Sequence, residues 1–210
     1  MLEGIEVLCH SNIKISKNKI IYIDPFKIDK EYKDADYIFI THSHYDHFSL
    51  DDINKVRKEN TKIILPLDMY DLATQLGFND KNILTVTPNE KYEIDTLQFE
   101  TVPAYNVNKN FHPKSNNWVG YIIRLDNISY YIAGDTDITE ENKKVVADVI
   151  FVPVGGTYTT TCKEAAELAN HIMPKIAVPT HYGCIVGCKS DAEEFVNLLN
   201  DNIKGVILIK

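Results

Sequence analysis

Seven residues constrain this chain more than any others: Thr41-His42-Ser43-His44-Tyr45-Asp46-His47. They close Tyr37–Thr41, a continuous apolar run of the kind that forms a buried strand. Three histidines and an aspartate are therefore delivered together at a strand end. If protonated, the imidazoles would crowd positive charge. If neutral and buried, they would strand ring nitrogens away from water. A divalent cation relieves both problems, because neutral imidazole and carboxylate are natural ligands of zinc-like ions. Residues i and i+2 of an extended turn face the same way, so His42 and His44 are expected to share one ion. Asp46 and His47 come slightly later and are expected to reach a second. Two ions so placed can hold a bridging hydroxide.

Other segments repeat this logic of a polar residue presented at a strand end. Gly134-Asp135-Thr136-Asp137 follows the strand expected over Ile128–Ala133; taken alone it also reads as an Asp-rich surface turn. Pro179-Thr180-His181-Tyr182-Gly183 places a histidine after a short apolar strand. Asp24, in Ile23-Asp24-Pro25, is either a group that bonds to the histidine loop or a turn residue before proline. His171 is expected at a helix C-terminus, where a partly charged imidazole offsets the helix dipole.

The remaining pattern indicates α/β architecture. Strands are expected over Ile5–Leu8, Ile13–Ser16, Ile20–Ile23, Lys62–Leu65, Tyr92–Ile94, Leu97–Pro103, Val119–Leu125, Val149–Val154, Ile176–Pro179 and Val206–Ile209. Lys17-Asn18-Lys19 fits a hairpin turn. Ser49 caps a helix with acids in its first turn, and Asp68–Leu76 reads as a helix stopped by Gly77. Thr161-Cys162-Lys163-Glu164 and Ser190-Asp191-Ala192-Glu193 match the capping box, opening helices over 162–171 and 191–200. Strand runs early and strand–helix alternation late suggest sheets packed together with helices outside.

Bulk composition narrows the function. The 210 residues suit one domain, 1–210, and 44% hydrophobic with 25% charged residues is ordinary for a globular protein. No apolar run approaches the roughly 20 residues that span a bilayer. The acidic, mixed start lacks the features of a signal peptide, so a cytoplasmic location is expected. Cys9, Cys162, Cys184 and Cys188 form no framework and are expected to be reduced; Cys184 and Cys188, close to His181, read as small loop side chains or as thiol ligands. A formal charge of -8 without a dense basic run disfavours long nucleic acids as partners. A small-molecule substrate is expected instead.

Together, HxHxDH at 42–47, GDTD at 134–137 and PTHYG at 179–183 resemble the metallo-β-lactamase fold superfamily, over nearly the whole chain. Asp24 matches that superfamily's early aspartate. Val102-Pro103-Ala104-Tyr105-Asn106 and Pro153–Thr159 are similar to small Zn-dependent hydrolases related to ascorbate-6-phosphate lactonase and to the phospholipase D that releases N-acylethanolamines. The resemblance implies a four-layer αββα sandwich. It implies His42 and His44 on a first metal, Asp46, His47 and His181 on a second, and Asp135 bridging them. Zn2+ is the expected ion, one or two per chain, with Mn2+ or Fe2+ as alternatives. Relatives usually complete the first site with a histidine where this chain has Asn106. Either His112 folds back to replace it, as ligand or substrate contact, or the first site is weaker. Relatives often carry Gly-His-Ser/Ala near the pocket, which brings in His10.

The resemblance implies hydrolysis of a small ester, lactone or phosphodiester by a metal-bound hydroxide. Asp46 would ligate and orient, and His112 or Tyr105 would supply the leaving-group proton. A diiron redox protein of this fold, an RNA-processing metallonuclease and a non-catalytic metal module are the competing readings. Flavodiiron reductases favour Glu where this chain has His44, and an RNA enzyme would want a basic arm.

Overall fold

A computed structural model of the chain describes residues 1–209. It contains two mixed sheets and divides into two compact units, residues 2–87 with Ile209 and residues 88–208 with Met1. Among the described residues, no helix is long and apolar enough to cross a membrane. The α/β class is as expected.

The first unit holds β1 (Ile5–Cys9), β2 (Asn12–Ser16), β3 (Ile20–Ile23), β4 (Ala35–Phe39), α1 (Leu50–Val56), β5 (Arg57–Pro66), α2 (Tyr70–Gln75) and β6 (Ile83–Val86). Its six strands lie in sequence order; β1 to β3 are antiparallel and β3 to β6 parallel. Alternation puts Tyr22, Ile38, Ile40, Ile63 and Leu65 on one face. There they pack with Ile53 and Val56 of α1, Ala73 of α2, and Met69. As expected, Ser49 caps α1 by accepting from Asp52 N. The helix expected over Asp68–Leu76 is divided, a 3-10 turn at Leu67–Met69 leading into α2. β6, a half-buried run of four residues, was not expected; it forms because Ile63–Pro66 offers it a parallel partner.

The second unit holds β7 (Lys91–Ile94), β8 (Leu97–Pro103), β9 (Val119–Leu125), β10 (Ile128–Ile132), β11 (Val149–Pro153), α3 (Cys162–Ile172), β12 (Ile176–Thr180), α4 (Lys189–Asn197) and β13 (Lys204–Gly205). Strands β7 to β10 are antiparallel, and β10 to β13 are parallel. Helices α3 and α4 pack on each other and against β11 and β12. The Thr161/Glu164 capping box is present, and His171 lies in the last turn of α3.

Helix α4 and the last strand differ from expectation. α4 begins before Ser190, because Cys188 N donates to Asp191 Oδ2 at 2.7 Å and makes Cys188 the cap. It also ends early, because the Asn170 side chain accepts from Asn200 N and donates to Leu198 O. The strand expected over Val206–Ile209 is instead the short β13. Its ladder to β12 closes at Ala177↔Gly205, with one further bond from Val206 N to Ala177 O.

The directions of the strands decide where the loops emerge. In the first sheet β1, β3 and β4 run the same way, so His10, Asp24 and the 40–49 loop leave from one edge. In the second, β8, β10, β11 and β12 run together, so Ala104–Asn106, Gly134–Asp135, Gly155 and His181 leave from one edge. Such carboxyl edges of parallel strands are where open α/β sheets place their sites.

Asp148 clips the second sheet at its other end. Oδ2 accepts from Ser129 N and Oγ, each at 2.9 Å, and Oδ1 meets Lys175 Nζ at 2.8 Å. The Lys175 ammonium first, then the Ser129 donors, hold this carboxyl down to about 2 from an ordinary 3.8. The ionised form is therefore favoured in the folded state, and its stabilisation is present above about pH 4 and drains away as pH falls toward 2. Asp148→Asn should lower stability at neutral pH, with the difference from wild type shrinking across that window in urea unfolding curves.

Candidate metal centre

The edge of the first sheet is organised by Asp24, which is fully buried. Asp24 Oδ1 accepts from Thr41 N at 2.8 Å, and Oδ2 accepts from Thr41 Oγ1 and His47 Nδ1, each at 2.7 Å. Burial pushes the carboxyl's pKa up, opposed by His47 and Thr41. Counting protons fixes the ring states. Thr41 has one hydroxyl proton and gives it to Asp24. Its oxygen, 3.0 Å from His42 Nδ1, must then accept from that ring. His42 and His47 thus each carry a proton on Nδ1 and turn a lone pair outward at Nε2. His42 Nε2 lies 3.0 Å from His44 Nδ1. Asp46 Oδ2 lies 3.1 Å from His10 Nε2 and 3.5 Å from His47 Nε2. His10, Asp46 and His47 each offer a ligand atom within 4.8 Å of the others.

The edge of the second sheet carries a matching cluster. Asp135 Oδ2 lies 3.2 Å from His112 Nε2 and 3.0 Å from His181 Nε2, and all three residues are buried. Gly155 lies directly under His181: a Cβ there would sit 2.4 Å from His181 O and 3.3 Å from its Nδ1. His112 is held by Asn106, whose Oδ1 is 3.0 Å from both His112 N and His112 Nδ1. Asn106 itself faces Tyr158 O through Nδ2 at 2.9 Å, so in this unit it is the imidazole, not the carboxamide, that meets Asp135. The Tyr105 phenol donates to Glu141 Oε2 at 2.7 Å and accepts from Lys114. Burial and the Glu141 carboxylate raise its pKa. Asp137 is taken up by Lys109 and by Val107 N.

Three of these residues have left-handed backbone: His10 at φ 57°, Asp24 at 46° and His181 at 57°. Non-glycine residues adopt this conformation at a cost and keep it where surrounding structure over-determines it, often at functional sites.

Both clusters fit a divalent cation. Imidazole nitrogens and carboxylate oxygens converge at about hydrogen-bond separation in buried surroundings. Buried charge of this kind is paired or coordinates a metal, and the N/O donor set suits zinc, manganese or iron.

A family profile described as "Beta-lactamase superfamily domain" matches residues 5–181, a span holding every residue of both clusters. The chain belongs to this superfamily. A relative from Pyrococcus horikoshii, named a metal-dependent hydrolase, is 32% identical over 97% of this chain and 95% of its own length. A crystal structure of a protein from Parabacteroides distasonis is 30% identical with a TM-score of 0.81. It covers 98% of this chain and 93% of that one. The metallo hydrolase Igni18 of Ignicoccus hospitalis shares the fold at a TM-score of 0.76 and 22% identity, over 98% of this chain and 95% of its own. The enzyme class that goes with this kinship is metal-dependent hydrolysis, as the motifs led one to expect.

Two contributors to the site went unread in the sequence. Thr41 carries no ligand chemistry of its own; its place directly before His42 was the available signal. Gly155 matters through the atom it lacks, which only the packing reveals. Asp24→Ala would leave the Thr41 and His47 donors buried without their acceptor. At about 1–3 kcal/mol per stranded donor, it should cost several-fold more stability in urea unfolding than a surface substitution such as Asp201→Ala.

Proposed function

We propose that the chain is a zinc-dependent hydrolase of a small ester, lactone or phosphodiester, its metal held by the residues of these clusters. In the first unit His42, His44, Asp46 and His47 would hold metal, and in the second His112, Asp135 and His181 would do so. The observation that carries this reading is the convergence of His112 and His181 on a single oxygen of Asp135. It is the arrangement expected where one carboxylate serves two ligand sets. The order of the motifs along the chain supports it, and five imidazoles against two carboxylates favour zinc over harder-ligand ions.

The bound ions supply Lewis acidity and lower the pKa of water to about 7, making a nucleophile available at neutral pH. The rest falls to the chain's own groups. Asp24 holds the His47 proton at Nδ1, and Thr41 holds that of His42, so both rings are kept in one orientation. His10 Nε2 steadies Asp46 Oδ2, keeping that carboxylate in place to orient the nucleophile. His112 serves as a metal ligand in this reading, and the Tyr105 proton is held by Glu141, so neither is assigned the leaving-group proton. A net charge of -8 favours a small substrate over a polynucleotide.

Metal analysis of the purified protein, joined to a screen of lactones, esters and phosphodiesters, tests this directly. We expect zinc and hydrolysis of one class. Chelation should abolish turnover and zinc should restore it. Asp135→Asn and His181→Ala should each reduce kcat/KM by about 100-fold or more, the scale of a lost ligand or its support. Iron with oxygen turnover, or hydrolysis indifferent to chelator, would overturn the proposal.

A further inference from the structure

The loop that carries His112 is closed on itself by Asn106. Asn106 N donates to His112 O at 2.8 Å, while His112 N donates back to Asn106 Oδ1 at 3.0 Å. The carboxamide cannot be turned over. One end faces a backbone N–H, which can only donate, and the other faces Tyr158 O, which can only accept. Asn106 Oδ1 must therefore accept from both of its neighbours at residue 112. The second is His112 Nδ1, at 3.0 Å.

We propose that Asn106 is a positioning residue that holds His112 as its Nδ1–H tautomer, so that Nε2 presents a lone pair beside Asp135. With the proton on Nε2 instead, His112 would hydrogen-bond Asp135 and compete with a cation, and its bare Nδ1 would face Asn106 Oδ1, acceptor against acceptor. Asn106 disfavours that state and pins the ring plane at the same time. A ligating histidine commonly donates its second ring nitrogen to an oxygen that fixes tautomer and orientation. Here a side chain six residues away in the same loop does so. Through Nδ2 it also ties the ring to Tyr158, so the 105–112 loop and the 155–161 loop position His112 together.

This inference rests on His112 being a metal ligand, and the test separates the two ideas. Correlation of ring 15N with 1H reads the tautomer in the full chain after metal removal, at about pH 8, where imidazoles are neutral. Wild type and Asn106→Asp should show His112 protonated on Nδ1. Asn106→Ala should show a mixture with Nε2–H. In competition with a chelator, Asn106→Ala should bind Zn2+ about 10–100-fold more weakly, and Asn106→Asp, which still accepts from His112 Nδ1 but leaves Tyr158 O without its donor, should recover part of that loss. His112 protonated on Nε2 in wild type, or an Asn106→Ala chain with unchanged tautomer and affinity, would overturn the inference. Should Asn106→Ala fail to fold, the tautomers of wild type and Asn106→Asp decide it. If His112→Ala binds Zn2+ like wild type, the ligand assignment falls, while the tautomer measurement still decides the role of Asn106.

Discussion

The carboxylate of Asp24 satisfies three donors at once: the Thr41 amide, the Thr41 hydroxyl and the His47 ring. An anion this deeply buried is costly unless it is fully hydrogen-bonded. The two Thr41 contacts tie the strand end at Ile23 to the start of the histidine loop. The third fixes which nitrogen of His47 carries the proton. Because Thr41 spends its only proton on Asp24, it also fixes the His42 ring. One carboxylate thus sets the state of two imidazoles, one of them indirectly. The geometry of the 40–49 loop follows from it.

The second sheet solves the same problem with different groups. His112 takes its orientation from a carboxamide, and His181 from a strained backbone laid against a glycine. In both sheets the chemistry-bearing residues leave from the edge where parallel strands end. This lets rigid strands aim side chains that flexible loops alone would hold poorly. The cost is local strain at His10, Asp24 and His181, which the surrounding ladders sustain.

Strands Leu97–Pro103 and Val119–Leu125 match their expected bounds, because alternating or continuously apolar runs are signals of period and length that survive in any tertiary context. The Thr161/Glu164 cap was legible for the same reason: it is a local bond between near neighbours. Errors gathered where partners are distant. At α4 two overlapping local boxes competed, and Asp191 reaching back to Cys188 N prevailed over Glu193 reaching back to Ser190. Asn170 ended α4 from another helix, and β6 exists through the strand beside it.

The sequence by itself determined that three histidines and an aspartate stand at one strand end, and that the motifs around Asp135 and His181 follow in superfamily order. Composition and spacing suffice for this, since donor type and strand periodicity are written residue by residue. Only the tertiary structure decided which partner each donor meets. It brought His112 to Asp135, set the Asn106 carboxamide against the His112 ring, and placed Tyr105 on Glu141. Hydrogen bonds and steric gaps between residues far apart in the chain depend on strand direction and loop closure, and no local pattern encodes them.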